Sequence, residues 1–133
     1  VALEVGLGSV LHSKLGTSTE RGLSGGELKR LNVANELLGN PSVLILDEPL
    51  TGLDSTRATH VIELLHKAAH EHQRTVALTI HQPSSKIFAL FDSLLIMAPG
   101  GSVTYMGSVA AADGHFSSLG HVCPPLWAAF DFW

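Results

Sequence analysis

A short apolar run that ends in two adjacent acids constrains this chain more than any other feature. Val43–Leu46 follows an Asn-Pro-Ser turn signal at residues 40–42, so it predicts a buried β-strand entered from a turn. Asp47 and Glu48 come directly after it. Side chains alternate between the faces of a strand, and ligands of open α/β sheets bind at the carboxyl ends of the strands. The pattern therefore predicts an α/β fold with a polar site at this strand end.

The two acids suit different tasks in such a site. One carboxylate can hold Mg²⁺, because hard cations prefer oxygen ligands. The other can take a proton from an attacking water, which contributes roughly 10²–10⁴ in rate. The structural alternative is that the acids only cap the next helix or lie in water, and the acids alone leave both interpretations open.

A second motif precedes this strand. Ser24–Glu27 has serine and glutamate at the spacing of a capping box, which predicts a helix from here to about Leu38, where residues 39–41 stop it. A capping box does not require the glycines, however. Gly25 and Gly26 leave bare backbone N–H groups at a helix N-terminus, where the dipole is positive and a phosphate can approach closely. Along this amphipathic helix one stripe is expected to hold Leu28, Leu31, Asn35 and Leu38.

Four ordered motifs resemble those of an ABC-type ATPase cassette. Leu23–Glu27 matches the signature motif, Val43–Glu48 matches the Walker B strand with its catalytic glutamate, and Thr51–Asp54 matches the D-loop. Thr79–Ser84 looks like the H-loop, which carries the switch histidine. Its His-Gln-Pro-Ser wording and the later run Leu90–Leu94 are similar to the white, or G, subfamily of ABC transporters. The resemblance extends over nearly the whole chain.

The resemblance implies an ATP site divided between two cassettes, so the expected partner is a second cassette paired head to tail and the expected cofactors are ATP and Mg²⁺. In that arrangement Asp47 holds Mg²⁺, Glu48 orients and activates the attacking water, and His81 contacts the γ-phosphate. The residues implied to contact the ATP of the partner, or to lie at the seam of the pair, are Ser24, Gly25, Gly26, Glu27 and Asp54.

The fold implied is α/β, a partial P-loop NTPase-type ABC cassette. Residues 1–40 would form the end of the helical subdomain, and residues 41–133 the carboxyl-terminal half of the catalytic lobe. A glycine-rich loop ending in Gly-Lys-Ser/Thr is not in this sequence. We therefore expect ATP hydrolysis and substrate export in a full-length protein, attached to the cytoplasmic face of a membrane by a transmembrane domain outside this chain. This chain alone is expected to be inactive.

Hydrophobic patterning predicts the other elements. The strand at Val43 should pair in a parallel sheet with a strand at Thr75–Ile80, and residues 1–10 should hold the tail of a helix. The remaining elements are expected to be a helix from Ser55 to about His72, with Val61, Leu64, Leu65 and Ala68 on its apolar face, a short helix over Ser84–Phe91, a hairpin of Ser93–Ala98 and Ser102–Met106, and a helix over Ser108–Leu119.

Charge and spacing limit the other function classes. The net charge of −4 over 133 residues gives no broad basic face, so nucleic acid is not an expected partner. The apolar stretches are far shorter than the ~20 residues of a transmembrane helix. His66 and His70 are four residues apart, as in some metal sites, but no zinc motif surrounds them. An exposed polar helix face is the expected role of this pair.

The sequence departs from the pattern of the resembled family at two places. Leu50 stands where threonine usually follows Asp-Glu-Pro, which bears on the contact between cassettes. After Cys123, Ala128–Phe132 replaces an Asn-Pro-Ala-Asp-Phe run, which bears on the link to a transmembrane domain. Two other functions also fit part of the pattern. The first is a DNA-maintenance ATPase head, although its sustained heptads are missing here; the second is a cassette remnant that keeps the contact face without catalysis.

Overall fold

The computed structural model describes residues 2–16 and 22–124. The chain divides into two compact units, one up to His81 and the other from Gln82 onward. In chain order the elements are a short 3-10 helix Gly8–Val10, α1 Gly25–Leu38, β1 Val43–Leu46, α2 Ser55–Glu71, β2 Thr75–Leu78, α3 Ser85–Phe88, β3 Ser93–Met97, β4 Val103–Ser108 and α4 Val109–Ser118. The departure from the family wording at Ala128–Phe132 lies outside the described residues.

The first unit is built on the predicted parallel pair of strands. β1 and β2 pair in parallel, with Val43 opposite Thr75 and Leu46 opposite Leu78. Leu44 and Leu46 are buried, as the period of two along a strand requires for one face. The adjoining α2 buries most of its predicted apolar face, including Val61 and Leu65, and adds Ile62. These apolar side chains anchor the strand whose carboxyl end carries the acids.

The predicted stripe of α1 is not its most buried face, although Leu31 packs against a core cluster. The buried residues of this helix are Arg30, Val33, Ala34 and Leu37, spaced i, i+3, i+4 and i+7 as on one face of a helix. Leu28 and Leu38 are instead 42% and 69% exposed. The positions of the leucines do not reveal the buried face, because an arginine lies on it. Arg30 is only 4% exposed, and its apolar stem can pack in the interior.

The amino-terminal segment also differs from its prediction. Residues 2–10 form turns and the short 3-10 helix rather than the tail of an α-helix. Gly6 has a φ of +70°, which lies in the left-handed region and interrupts any right-handed helix. Val5 and Leu7 nevertheless pack with Ala34 in a small apolar cluster. Burial, rather than helix propensity, therefore fixes this segment.

The second unit contains the predicted hairpin. β3 and β4 pair antiparallel, with a register shift between Ile96 and Met97. The following α4 packs Phe116 against Tyr105 of β4. The predicted helix over Ser84–Phe91 is shorter in the structure, where it ends at Phe88. Among the described residues, no helix has the length and apolar character needed to cross a bilayer.

Candidate functional site

The parallel pairing brings Thr79 beside both acids. β1 ends at Leu46 and β2 at Leu78, so the next residues in register are Asp47 and Thr79. The Thr79 hydroxyl donates to Oδ1 of Asp47 at 2.5 Å and accepts the backbone N–H of Glu48 at 2.8 Å. Both acids are exposed. The two carboxyl groups thus lie at the carboxyl edge of the sheet, as the sequence predicted.

Glu48 is held from three directions. Its φ is +43°, a left-handed conformation that costs a non-glycine residue roughly 1–3 kcal/mol and must be imposed by its surroundings. The Lys29 ammonium of α1 donates to the Glu48 carbonyl at 3.2 Å, while Thr79 binds the N–H. The Thr51 hydroxyl donates to Oε2 of the Glu48 carboxylate at 2.9 Å. Other side chains of this chain therefore hold both the backbone and the carboxylate of Glu48.

The acids fit a magnesium ion that is shared with a phosphate. Within residues 2–16 and 22–124, no group of three or more His, Cys, Asp or Glu side chains could enclose a metal. Mg²⁺ does not need such a cage, because it is usually held by one or two carboxylates together with waters and substrate phosphates. Thr79 engages Oδ1 of Asp47. The oxygen donors at this strand end suit that kind of site.

His81 lies two residues after Thr79 and is exposed. In the described part of the chain it makes no hydrogen bond to Asp47 or Glu48. His81 is therefore near Thr79 in the sequence, but it is not hydrogen-bonded to the two acids that Thr79 bridges. Its predicted contact with a γ-phosphate stays a prediction.

The predicted capping box begins α1. The Ser24 hydroxyl and the Ser24 N–H both donate to Oε2 of Glu27 at 2.7 Å, and the hydroxyl accepts the Glu27 N–H at 3.3 Å. The first of these bonds, from the Ser24 side chain, is the main reason that the pKa of Glu27 is lowered. The serine hydroxyl is thus already engaged, and the donors left at this helix end are backbone N–H groups.

The two glycines of α1 have different surroundings. A Cβ at Gly26 would lie 3.0 Å from the Leu53 side chain and 3.6 Å from the Gly52 carbonyl, so the D-loop packs closely here. A Cβ at Gly25 would meet nothing within 4 Å. Packing among residues 2–16 and 22–124 explains the glycine at position 26 but not the one at position 25. Gly25 leaves the positive end of the helix open to a ligand from outside.

Asp54 caps α2. Its carboxylate accepts the Arg57 N–H at 3.0 Å and pairs with the Arg57 guanidinium at 3.2 Å, with both side chains more than half exposed. The Arg57 N–H, aided by the guanidinium charge, lowers the pKa of Asp54. Asp54 therefore has a complete structural role, and its predicted place at a seam between cassettes stays a prediction.

Acidification should remove this cap selectively. A lowered pKa in the folded state stabilises the fold at pH values above the ordinary pKa of an aspartate, and this stabilisation is lost as the pH falls through the folded pKa. An asparagine side chain at the same position caps well without titrating. In Tm measurements from about pH 6 to about pH 2, the advantage of the wild-type chain over Asp54→Asn should disappear at the acid end. Parallel Tm curves would contradict this role.

Three side chains that hold the acids received no role from the sequence. In the sequence, Thr79 and Thr51 are only parts of the H-loop and D-loop matches, and Lys29 belongs to no position singled out there. For Thr79 a signal existed, because extending the register of the parallel pair by one residue places it opposite Asp47. Lys29 and Thr51 have no comparable signal, since their bonds depend on how α1 and the loop after Glu48 fold.

Family models match both ends of this chain. The model described as ABC transporter matches residues 1–51, and the model described as ABC-2 type transporter matches residues 81–133. Among curated relatives, the chain is 47% identical over 132 residues to the broad substrate specificity ATP-binding cassette transporter ABCG2 of Sus scrofa, covering 99% of this chain and 20% of that protein. It is also 47% identical over 128 residues to ABC transporter G family member 22 of Arabidopsis thaliana, covering 96% and 16%.

A solved structure has the same fold. The post-hydrolysis dimer of the ATP-binding cassette MJ0796, bound to ADP and Pi, superimposes with a TM-score of 0.58 at 26% identity, covering 65% of this chain and 36% of that one. The chain spans about a fifth of the length of the pig relative. The fold is therefore that of part of an ATP-binding cassette, as predicted from the sequence.

Proposed function

Because this chain belongs to the G subfamily of ABC transporters, we propose that it contributes to two ATP sites of a cassette dimer. Its acids serve the ATP on its own side, and the N-terminus of α1 serves the ATP on the partner. The observation that carries this proposal is the fixed position of Glu48, whose backbone and carboxylate are held by Thr79, Lys29 and Thr51.

On its own side the chain acts on the attacking water. The Glu48 carboxylate orients that water and accepts a proton from it as the oxygen attacks the γ-phosphorus. Thr51 binds only Oε2, so the other oxygen of Glu48 is available for the water. Asp47 would hold Mg²⁺, which neutralises charge on the phosphates when it is bound. His81 positions the γ-phosphate from the H-loop.

On the partner side the chain offers the N-terminus of α1. Backbone N–H groups and the helix dipole favour an anion there, and the open space at Gly25 lets a phosphate come close. Ser24 and Glu27 keep this helix end in shape through the capping box. The related cassette MJ0796 is dimeric with ADP and Pi bound, which supports a pair of cassettes. We propose that this pair is arranged head to tail. Asp54 would lie near the seam of that pair.

A transmembrane domain outside this chain would use the energy of hydrolysis. The match of residues 81–133 to an ABC-2 type transporter model supports that connection. The named relatives are transporters, one with broad substrate specificity, and this supports ATP-driven transport at a membrane. We propose export with the cassette on the cytoplasmic side; the transported substrate would be chosen by the transmembrane helices.

A chimera tests this function. This chain would replace the matching 132 residues of the pig transporter, to which it is 47% identical. We expect the purified chimera to hydrolyse ATP in a Mg²⁺-dependent manner, because the inserted chain supplies the two acids and the N-terminus of α1. The 133-residue chain alone should bind Mg-ATP more weakly than about 1 mM by calorimetry, since it lacks the loop that cradles the phosphates.

Two results would contradict the proposal. One is a chimera that folds and inserts into the membrane but shows no ATP hydrolysis above the Glu48→Gln chimera. The other is micromolar binding of Mg-ATP by the isolated chain, which would mean that a nucleotide site exists here without a partner cassette.

A further inference from the structure

We propose that Thr79 is a positioning residue for ATP hydrolysis, whose single hydroxyl sets both acids at once. The inference rests on the proposed function of Asp47 and Glu48 in an ATP site. It goes beyond that function because it assigns to Thr79, at the end of β2, the task of aligning the metal ligand with the residue that activates water.

The hydroxyl has a different role toward each acid. It donates its one proton to Oδ1 of Asp47 at 2.5 Å, and its oxygen accepts the N–H of Glu48 at 2.8 Å. The two bonds together use the donor and one acceptor position of the threonine. A charged acceptor makes the first bond the stronger one, and this polarises the second. Asp47 and Glu48 are therefore both hydrogen-bonded to the same oxygen atom, that of the Thr79 hydroxyl.

The bond to Asp47 selects which carboxylate oxygen faces a cation. With Oδ1 engaged by Thr79, rotation of the carboxylate is restricted, and Asp47 would offer its other oxygen to Mg²⁺ or to one of its waters. Partners of this kind orient ligating carboxylates, and their loss typically costs roughly 10–100-fold in metal affinity or activity.

The bond to Glu48 maintains an unusual backbone. Glu48 has a φ of +43°, and Thr79 fixes its N–H while Lys29 fixes its carbonyl. Thr79 itself is anchored, because its own N–H donates to the Leu46 carbonyl at 3.0 Å. As a β-branched residue it also has few χ1 rotamers. The hydroxyl is thus a rigid reference point at the end of the paired strands.

The first test compares Mg²⁺ dependence in the chimera. Thr79→Val removes the hydroxyl at nearly constant volume, and we expect the Mg²⁺ concentration for half-maximal ATPase activity to rise roughly 10–100-fold. Thr79→Ser restores the hydroxyl and should stay within about threefold of the wild type, since only the rotamer restriction is lost. The matched control is Thr75→Val, an exposed threonine four residues earlier on the same face of β2.

A purely structural role for Thr79 predicts something else. It would lower the yield of folded chimera while leaving the half-maximal Mg²⁺ concentration unchanged, and that result would overturn the inference. If Thr79→Val does not reach the membrane, Thr79→Ala is measured in its place against the same serine variant. Equal Mg²⁺ dependence of the alanine and serine variants would also overturn it.

The second test does not depend on activity. Hydrogen exchange of the Glu48 amide, measured in the chimera by mass spectrometry of peptides starting before residue 47, should accelerate at least about tenfold in Thr79→Val but not in Thr75→Val. Unchanged exchange would overturn the inference. A different result would separate the two proposals: exchange is faster in Thr79→Val, but the chimera that retains Thr79 hydrolyses no ATP. In that case the hydroxyl still positions the two acids, and the proposed function is rejected.

Discussion

Replacing Glu48 by glutamine should lower the ATPase turnover of the chimera by roughly 10²–10⁴-fold, because a well-placed general base contributes about that much to the rate. Glutamine has nearly the same shape, and its amide oxygen can still accept the Thr51 hydroxyl. The bonds from Thr79 and Lys29 go to the backbone of Glu48 and do not depend on the carboxylate. The KM for ATP should therefore change by less than about threefold, while kcat falls.

The control for this variant is Glu36→Gln, an exposed glutamate on α1 near its carboxyl end. It makes the same chemical change without touching the acids of β1, so its turnover should match the wild type. Turnover of Glu48→Gln within about threefold of wild type would exclude Glu48 as the base.

The local part of the fold could be predicted because its signals lie within a few residues of one another. The Ser24–Glu27 capping box and the apolar strand at Val43–Leu46 each specify an element boundary from neighbouring residues. The face of α1 could not be predicted in this way. It is decided by the segment around Val5 and Leu7 and by the burial of Arg30, which are tertiary facts.

The site divides along the same line. The acids were predictable, because their residue types and the apolar strand before them are both visible in one short stretch of sequence. Thr51, which binds the Glu48 carboxylate, lies three positions away. The residues that fix the Glu48 backbone lie 19 and 31 positions away, at Lys29 and Thr79. Their bonds form only after β1 and β2 pair in register and α1 packs nearby. Local sequence motifs therefore predict the reacting groups, whereas the backbone-positioning residues can be identified only once the strand pairing and helix packing are known.

A second large effect is expected at Gly25, where activity and stability should change in opposite directions. Gly25→Ala should lower ATPase turnover roughly 10²–10³-fold, as for the loss of one backbone donor to a reacting anion, because the new methyl group occupies the approach to the N-terminus of α1. The fold should not suffer, since a Cβ there meets nothing within 4 Å and alanine favours a helix over glycine. Tm and turnover of the chimera are the two measurements.

Gly114→Ala is the matched control, because Gly114 lies inside α4 and a Cβ there also meets nothing within 4 Å. It should raise stability by about 0.5–1 kcal/mol and leave turnover unchanged. If Gly25→Ala retains wild-type turnover, the open space beside that glycine is not where a phosphate binds. A fall in turnover without a fall in Tm would support a ligand from outside the described residues that needs the space beside Gly25.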